Sequence, residues 1–410
     1  MDKTQGLAPR RAALTLLDAV LRRGQPLESA LSGATRGLAK PEDRALARAI
    51  ASETLRRLPD LDALIDSATR QLLPGDAKAR MVLRLALAQA LVMGTPEHAA
   101  VATALPLVDG GPRRLVHGVL GTLLRRKATL PALPTLPDPV RLRWNEELVA
   151  LAGAAMIEPP AIDLTLRDAG ETELWAGRLG GESLMPGHVR IARGPAIAEL
   201  PGFEEGAWWV QNIAASLPAR LLGPDKGRTV LDLCAAPGGK TMQLAAAGWN
   251  VTALDQDRAR IVRLEDNLAR TGLSARLVTA DLMRWEPEAP VEAILLDAPC
   301  SATGIFARHP DVLYRVRPRD IAQLADLQAA MIARVSGWLQ PGGTLVYATC
   351  SLEHQEGEDQ IEAALASGLR LLPIEPQELG AGILPDPKGW VRVLPVNHAD
   401  GFFIARFKRP

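Results

Sequence analysis

Two cysteines lie just beyond apolar runs, in LLDAPCSATG (residues 295–304) and in VYATCS (residues 346–351). A thiol there could serve carbon methylation of a pyrimidine. Cytosine C5 is a poor nucleophile until a thiolate adds to C6, giving an enamine-like adduct whose C5 can attack a sulfonium methyl. A carboxyl group beside the ring must stabilise charge developing at N3, and Asp297 stands three residues before Cys300. Methylation of an exocyclic amine would favour an aromatic residue after Pro299, where the chain has Cys300. The pattern therefore points to a ring carbon. It does not decide whether Cys300 or Cys350 is the nucleophile.

The methyl must come from a donor, and LDLCAAPGGKT (residues 231–241) reads as its floor. The ending Gly239-Lys240-Thr241 suggests a phosphate-cradling loop, but the first glycine of Gly-x4-Gly-Lys-[Ser/Thr] would fall on Cys234, where the turn geometry depends on glycine. Gly-x-Gly-x-x-Gly is not met either. What remains is a strand ending near Asp232, a turn of small residues and a helix starting near Lys240. Small residues let a ligand approach the backbone, and a helix N-terminus offers N–H groups to a carboxylate. Asp255 ends the next strand, where an acid can accept both ribose hydroxyls. Asp281 follows a third strand, within reach of an adenine amino group. Carboxylate, ribose and adenine together describe S-adenosylmethionine. Cys234, inside the small-residue turn, reads as an inert buried thiol.

The elements that must position these residues alternate. VLDLC, VTALD, ARLVTA, EAILLDA and TLVYATC are apolar strand candidates separated by helical segments such as RARIVRLEDNLARTG and DIAQLADLQAAMIARVSGWL. This implies βαβ units and a buried parallel sheet. Residues 10–127 are helical in pattern. Ala13, Leu16, Leu17, Val20 and Leu21 share one face, as do Leu115, Val116, Val119, Leu120 and Leu123, and MVLRLALAQALVM is apolar nearly all round and predicted to be central. Pro131, Pro134, Pro137 and Pro139 mark a boundary. Between it and the parallel sheet, AIDLTLRD, HVRIA and AWWV suggest a small α+β domain. The predicted division is 1–130 helical, 131–140 linker, 141–225 small α+β and 226–410 α/β.

At 410 residues and 47% apolar composition, the chain is long enough for two or three domains. No amino-terminal signal and no apolar run of spanning length is present, so a cytoplasmic location is expected. Three widely spaced cysteines without a Cys-x-x-Cys disfavour a disulfide framework or a zinc knuckle, and the six histidines lack ligand spacing, so no metal is expected. His98 and His117 are expected to be packed or capping residues. Net charge is zero, yet residues 1–140 carry 20 Lys and Arg against 13 Asp and Glu, a net +7, and the remainder is −7. A basic front half suggests a polyanionic partner. Arg308, His309, Arg315, Arg317 and Arg319, interleaved with Phe306 and Tyr314, follow the Cys300 loop and read as contacts to phosphates and unstacked bases, because C5 and C6 are reached only in a single-stranded or flipped cytosine.

In order along the chain, LDLCAAPGGKT, ALDQD, TADL, DAPCSATG followed by RHPD, and GGTLVYATCS resemble the motifs of RNA cytosine-C5 methyltransferases of the Sun/Nop2 (NSUN) family. LAKPEDRALARAIASETLRR, LRLALAQALVMGTPEHAAV and RRLVHGVLGTLLRR resemble the NusB-like helical domain that precedes this core in the family's bacterial 16S rRNA enzyme. The resemblance implies an all-α NusB-like RNA-binding domain, a small α+β connecting domain and an α/β Rossmann-like methyltransferase domain, acting on 16S rRNA or a small-subunit precursor; a monomer is expected, although the sequence does not fix the oligomeric state. It implies a donor site of Cys234, Ala235, Ala236, Pro237, Gly238, Gly239 and Lys240 with Asp255, Asp281 and Asp297. It makes Cys350 the nucleophile and Cys300 the residue that assists breakdown of the adduct. Gln211-Asn212 departs from the Gln-Asp common in relatives and puts a local cap in question. Thr271-Gly272 and a closing strand in DGFFIARF also fit. The same chemistry on tRNA or another RNA, and a non-catalytic RNA-binding factor, are the alternatives.

Overall fold

The computed structural model describes residues 6–194, 196–380 and 382–410. Two compact units form: the chain up to Pro159 together with Phe306–Val316, and Pro160–Ile305 together with Arg317–Pro410.

The first unit is helical. Its central helix, Lys78–Leu91, is buried almost all round. The two arginines that interrupt its apolar surface are accommodated by pairing: Arg84 meets Asp62 at 2.7 Å and Arg80 meets Asp62 at 3.0 Å. Leu7–Leu21 buries Ala13, Leu16, Leu17 and Val20, and Gly110–Arg125 buries Val116, Val119, Leu120 and Leu123. Leu115, expected on that face, is 36% exposed. His98 and His117 are exposed as well, neither packed nor capping.

The proline-rich stretch has no regular structure up to Pro137, then forms the short helix Asp138–Arg141, and it does not separate the units. Arg57 donates to the Pro131 carbonyl at 2.9 Å, the Thr135 N–H donates to Asp60 at 3.2 Å, and Leu136 and Val140 are buried. Proline limits regular structure without preventing the chain from lying on a helix, so the change of unit falls at Pro159 instead of 131–140. The returning segment Phe306–Val316 is built into this unit. Phe306 packs on Trp144 at 5.9 Å between ring centroids, Arg56 donates to the Ala307 carbonyl at 3.0 Å, the Leu27 N–H donates to Asp311 at 3.2 Å, and the Tyr314 hydroxyl donates to the Leu55 carbonyl at 2.7 Å.

The second unit holds two sheets. The β-prone runs after residue 160 give β1 (Ile162–Leu166), β2 (His188–Ile191) and β3 (Trp208–Val210), an antiparallel sheet in the order β2-β1-β3. This layer and the larger sheet fall in one unit, although the layer has its own cluster of buried residues, Leu164, Leu166, Trp175, Val189, Ile191 and Trp208. The larger sheet contains β4 (Thr229–Leu233), β5 (Asn250–Asp255), β6 (Arg276–Thr279), β7 (Val291–Asp297), β8 (Leu339–Thr349), β9 (Arg370–Leu371), β10 (Val391–Val393) and β11 (Phe402–Lys408). Its order is β10-β11-β8-β7-β4-β5-β6, with β9 on β11. β4 to β8 are parallel neighbours, whereas β11 runs antiparallel to β8. This is a Rossmann-like layer closed by an antiparallel edge. Asn212 caps the helix Ile213–Arg220, its Oδ1 accepting from the Ala214 N–H at 3.1 Å. The departure from Gln-Asp therefore leaves the cap intact.

Candidate active site

From β4 the chain passes to β5 on one side, while β7 lies on the other. Ligands of open α/β sheets bind at such a switch point, outside the carboxyl ends of the strands, and that edge carries the chemistry-bearing residues. β4 ends at Leu233, and a tight turn leads to the helix Gly239–Ala246. Cys234 adopts φ 60° and Gly238 φ 104°. A Cβ on Gly238 would stand 2.8 Å from Leu264 Cγ, so only glycine closes the turn against the helix Arg258–Thr271. No side chain caps the start of Gly239–Ala246, which leaves its first N–H groups for a carboxylate.

Asp255, at the end of β5, is 2% exposed. It accepts from the N–H of Ala236 at 3.2 Å and of Asp257 at 3.0 Å, and Arg260 meets it at 3.2 Å. It thus ties its strand end to the small-residue turn. Asp281, beyond β6, is exposed and accepts from the Met283 N–H at 2.9 Å. An uncapped helix start, a turn of small residues and carboxylates at two successive strand ends are the donor set that an amino-acid carboxylate, a ribose and an adenine require. The residues fit S-adenosylmethionine.

Behind the turn, Asp232 is wholly buried; Thr241 donates to it at 2.5 Å, and its other oxygen has no hydrogen-bond partner. Burial pushes its carboxyl up to about 7, against the Thr241 hydrogen bond and with the help of Asp297. Burial, followed by the charges of Asp297, Asp255 and Asp232, likewise pushes the Cys234 thiol up to about 12. Cys234 is thereby disfavoured as a thiolate.

Lys240 reaches across to Asp297 at the end of β7, with Nζ 2.7 Å from the carboxylate and 5.3 Å from the Phe402 ring centroid. Burial works against its ammonium, but Asp297, Asp232 and the Cys350 sulfur hold it above its ordinary value.

Cys300 and Cys350 follow β7 and β8, and their sulfur atoms are 3.5 Å apart. The Cys300 thiol is held well above its ordinary value, first by its hydrogen bond to Cys350, then by burial and by the charges of Cys350 and Glu356. Glu356, which sequence reasoning missed, is fully buried. An acid six residues past a cysteine in a polar stretch reads as solvated surface, and nothing in its spacing says otherwise.

The basic residues after the Cys300 loop have different surroundings. Arg315 pairs with Asp311 at 3.0 Å. His309 is partly buried, and burial disfavours its charged form despite Asp311 and Glu28. Arg308 is partly buried too, whereas Arg317 and Arg319 are exposed. Phe306 and Tyr314, expected beside unstacked bases, are core residues of the helical unit. Among the described residues no group of three or more His, Cys, Asp or Glu could hold a metal ion, and no helix is long and apolar enough to cross a membrane.

Residues 219–408 match the family described as 16S rRNA methyltransferase RsmB/F, and residues 7–125 match the NusB family. The chain is 34% identical to a ribosomal RNA small subunit methyltransferase B of Xylella fastidiosa, covering 98% of each chain. It is 33% identical to the protein of that name from Klebsiella pneumoniae, covering 97% of each. A solved methyltransferase homolog from Pyrococcus horikoshii superposes with a TM-score of 0.56 at 27% identity, over 67% of this chain and 94% of that one.

Proposed function

Because the chain belongs to the 16S rRNA methyltransferase RsmB/F family, we propose that it methylates C5 of a cytosine in 16S rRNA, with Cys350 as nucleophile and Cys300 as the residue that helps release the product. The observation carrying this assignment is the unequal surroundings of two adjacent thiols. Cys350 interacts with the Lys240 cation, while Cys300 has Cys350 and Glu356 as its charged neighbours. A thiolate is favoured beside a cation and disfavoured beside an anion.

S-adenosylmethionine, when bound, supplies an electrophilic methyl. The chain's residues make the cytosine able to accept it. The Cys350 thiolate adds to C6, forming a carbon–sulfur bond and sending electron density toward C5 and N3. Asp297, at the foot of the Cys300 loop, holds the Lys240 ammonium by an ion pair, and that cation can stabilise the negative charge that develops on the ring. Once its sulfur is engaged in the C–S bond, Cys350 no longer holds the Cys300 proton through their hydrogen bond. Cys300 can then lose its proton to water and take the proton from C5. Loss of that proton restores the ring double bond and expels Cys350 as thiolate.

Docking on RNA is assigned to the helical unit. Arg113, Arg114, His117, Arg125, Arg126 and Lys127 are exposed on and just beyond the helix Gly110–Arg125, with no acidic residue between positions 110 and 127. Such a surface suits a phosphate backbone. Arg317 and Arg319 are the two residues after the Cys300 loop most open to the same partner.

Bisulfite sequencing of rRNA and tRNA from a deletion strain tests this reading. One 16S rRNA cytosine should lose its methyl group and regain it with the wild-type gene, but not with Cys350→Ala. Loss at a tRNA cytosine instead, or at none, would overturn it.

A further inference from the structure

Glu356 sits in the turn His354–Glu356, with its side chain shielded from solvent. A buried carboxylate is costly unless its lone pairs are satisfied, and here neutral donors satisfy them. From the loop bearing Cys300, the Ser301 N–H donates to Oε1 at 2.8 Å, and the Ser301 hydroxyl donates to Oε2. From the loop bearing Cys350, the Ser351 hydroxyl donates to Oε2 at 2.6 Å. Gln328 donates to Oε1 at 3.2 Å and to the Pro299 carbonyl at 2.8 Å. The residue following each reactive cysteine is thus bound to one carboxylate.

We propose that Glu356 is a positioning residue for the reaction: its carboxylate fastens the Cys300 loop to the Cys350 loop and so sets the spacing of the two thiols. The strap is reinforced nearby, where the Leu352 N–H donates to Thr303 at 3.1 Å and the Gly304 N–H donates to the Cys350 carbonyl at 2.9 Å. A neutral amide could make much of this link, because the serine hydroxyls can turn to accept from it. It would remove the charge that faces Cys300. The other groups acting on or beside that thiol, Cys350 and the Tyr347 phenol, would be unchanged. The inference rests on the proposed thiol chemistry, and the test has an arm that does not.

Full-length Glu356→Ala and Glu356→Gln are compared with wild type in single-turnover methylation of 16S rRNA, in S-adenosylmethionine binding by calorimetry, and in iodoacetamide labelling of Cys300 against pH by mass spectrometry. Displacing a reacting group by about an ångström costs roughly 100-fold, so Glu356→Ala should lose about that much methylation while binding the donor as wild type does. Glu356→Gln should recover at least about 10-fold of that loss by restoring the link, yet label Cys300 at lower pH than wild type because the charge is gone. Wild-type methylation by Glu356→Ala would overturn the proposal, as would an unshifted labelling profile in Glu356→Gln or a parallel loss of donor binding. If Glu356→Ala does not fold, Ser301→Ala with Ser351→Ala carries the test, and full methylation by that double variant sinks the idea. Wild-type protein that methylates no rRNA would sink the functional reading alone, because the labelling profile still reports on Glu356.

Discussion

The sulfur atoms of Cys300 and Cys350 stand 3.5 Å apart although 50 residues separate them along the chain. Strand register produces this proximity: β7 and β8 are parallel neighbours with Asp297 opposite Ala348, and each cysteine comes shortly after its paired residue. Parallel strands end at the same edge, so the crossover between them brings two thiols to one place.

Their order of action can be separated on a denaturing gel with 16S rRNA and S-adenosylmethionine. Cys350→Ala should abolish methylation and give no protein–RNA adduct, because without addition C5 never becomes nucleophilic. Cys300→Ala should add to C6 and then stall, giving a slow-migrating band. The reverse pattern would make Cys300 the nucleophile.

Asp232 should make the apo protein less stable as pH rises. Its carboxyl is raised to about 7 in the folded chain from an ordinary 3.8, so the folded state holds this proton more tightly than the unfolded state does. Stability from this group is full below about 4 and falls between about 4 and 7. Asp232→Asn, which can still accept from Thr241, removes that loss. It should match wild type near pH 4 and exceed it at pH 8 by on the order of 2–4 kcal/mol. Denaturant melts at both pH values measure the difference, and equal stability at pH 8 would mean that Asp232 ionises without cost.

The candidate catalytic edge was legible because its residues lie where short apolar runs stop. Cys300, Cys350, Asp255 and Asp297 all end or closely follow strands read from alternation with helices, and the fold converts that sequence position into spatial proximity. Glu356 was hidden because its partners are Ser301 and Gln328, which the sequence places 55 and 28 residues away. Phe306 and Tyr314 misled for a related reason. Aromatic residues among arginines suit a nucleic-acid surface, but whether a ring faces a base or a core depends on what packs over it, here Trp144 for Phe306. The proline-rich stretch does not coincide with the change of unit at Pro159, because proline limits regular structure without removing contact.

A buried ionic cluster makes Asn212 more than a cap. Asp163, fully buried, receives Arg190 at 2.7 Å, the Asn212 amide at 3.0 Å and the Ile213 N–H at 2.9 Å, with His188 at 3.3 Å. Burial alone would raise its carboxyl, but His188, Arg190 and Ile213 hold it down to about 2. It therefore contributes stability above pH ~4 that is lost as pH falls toward ~2, on the order of 2 kcal/mol. Asn212→Asp would set a second carboxylate against it and should cost about 2–4 kcal/mol at pH 7. The deficit should shrink as pH falls from 8 to 5, because one of the two acids takes up a proton. A thermal melt of Asn212→Asp equal to wild type at pH 7 would show that the cluster absorbs the charge.

The basic face of the helical unit should be tested by charge, not by removal. Phe306–Val316 is held in that unit by Arg56, Leu27, Leu55 and Trp144, so deleting residues 1–130 strips partners from Ala307, Asp311 and Tyr314. The truncated chain should melt at lower temperature or aggregate, and weaker RNA binding by it would report on folding rather than docking. Reversing Arg113, Arg114, Arg125 and Arg126 to Glu leaves the core of the helix untouched, because only Val116, Val119, Leu120 and Leu123 are buried there. The reversed protein should melt as wild type does but bind 16S rRNA more weakly. Its dependence of log affinity on log salt should be shallower by roughly 3 units, since each lost phosphate contact removes about 0.7–0.9 of slope. A salt slope equal to that of wild type would remove this face from the RNA-docking surface and leave Arg317 and Arg319 as the exposed cations to examine next.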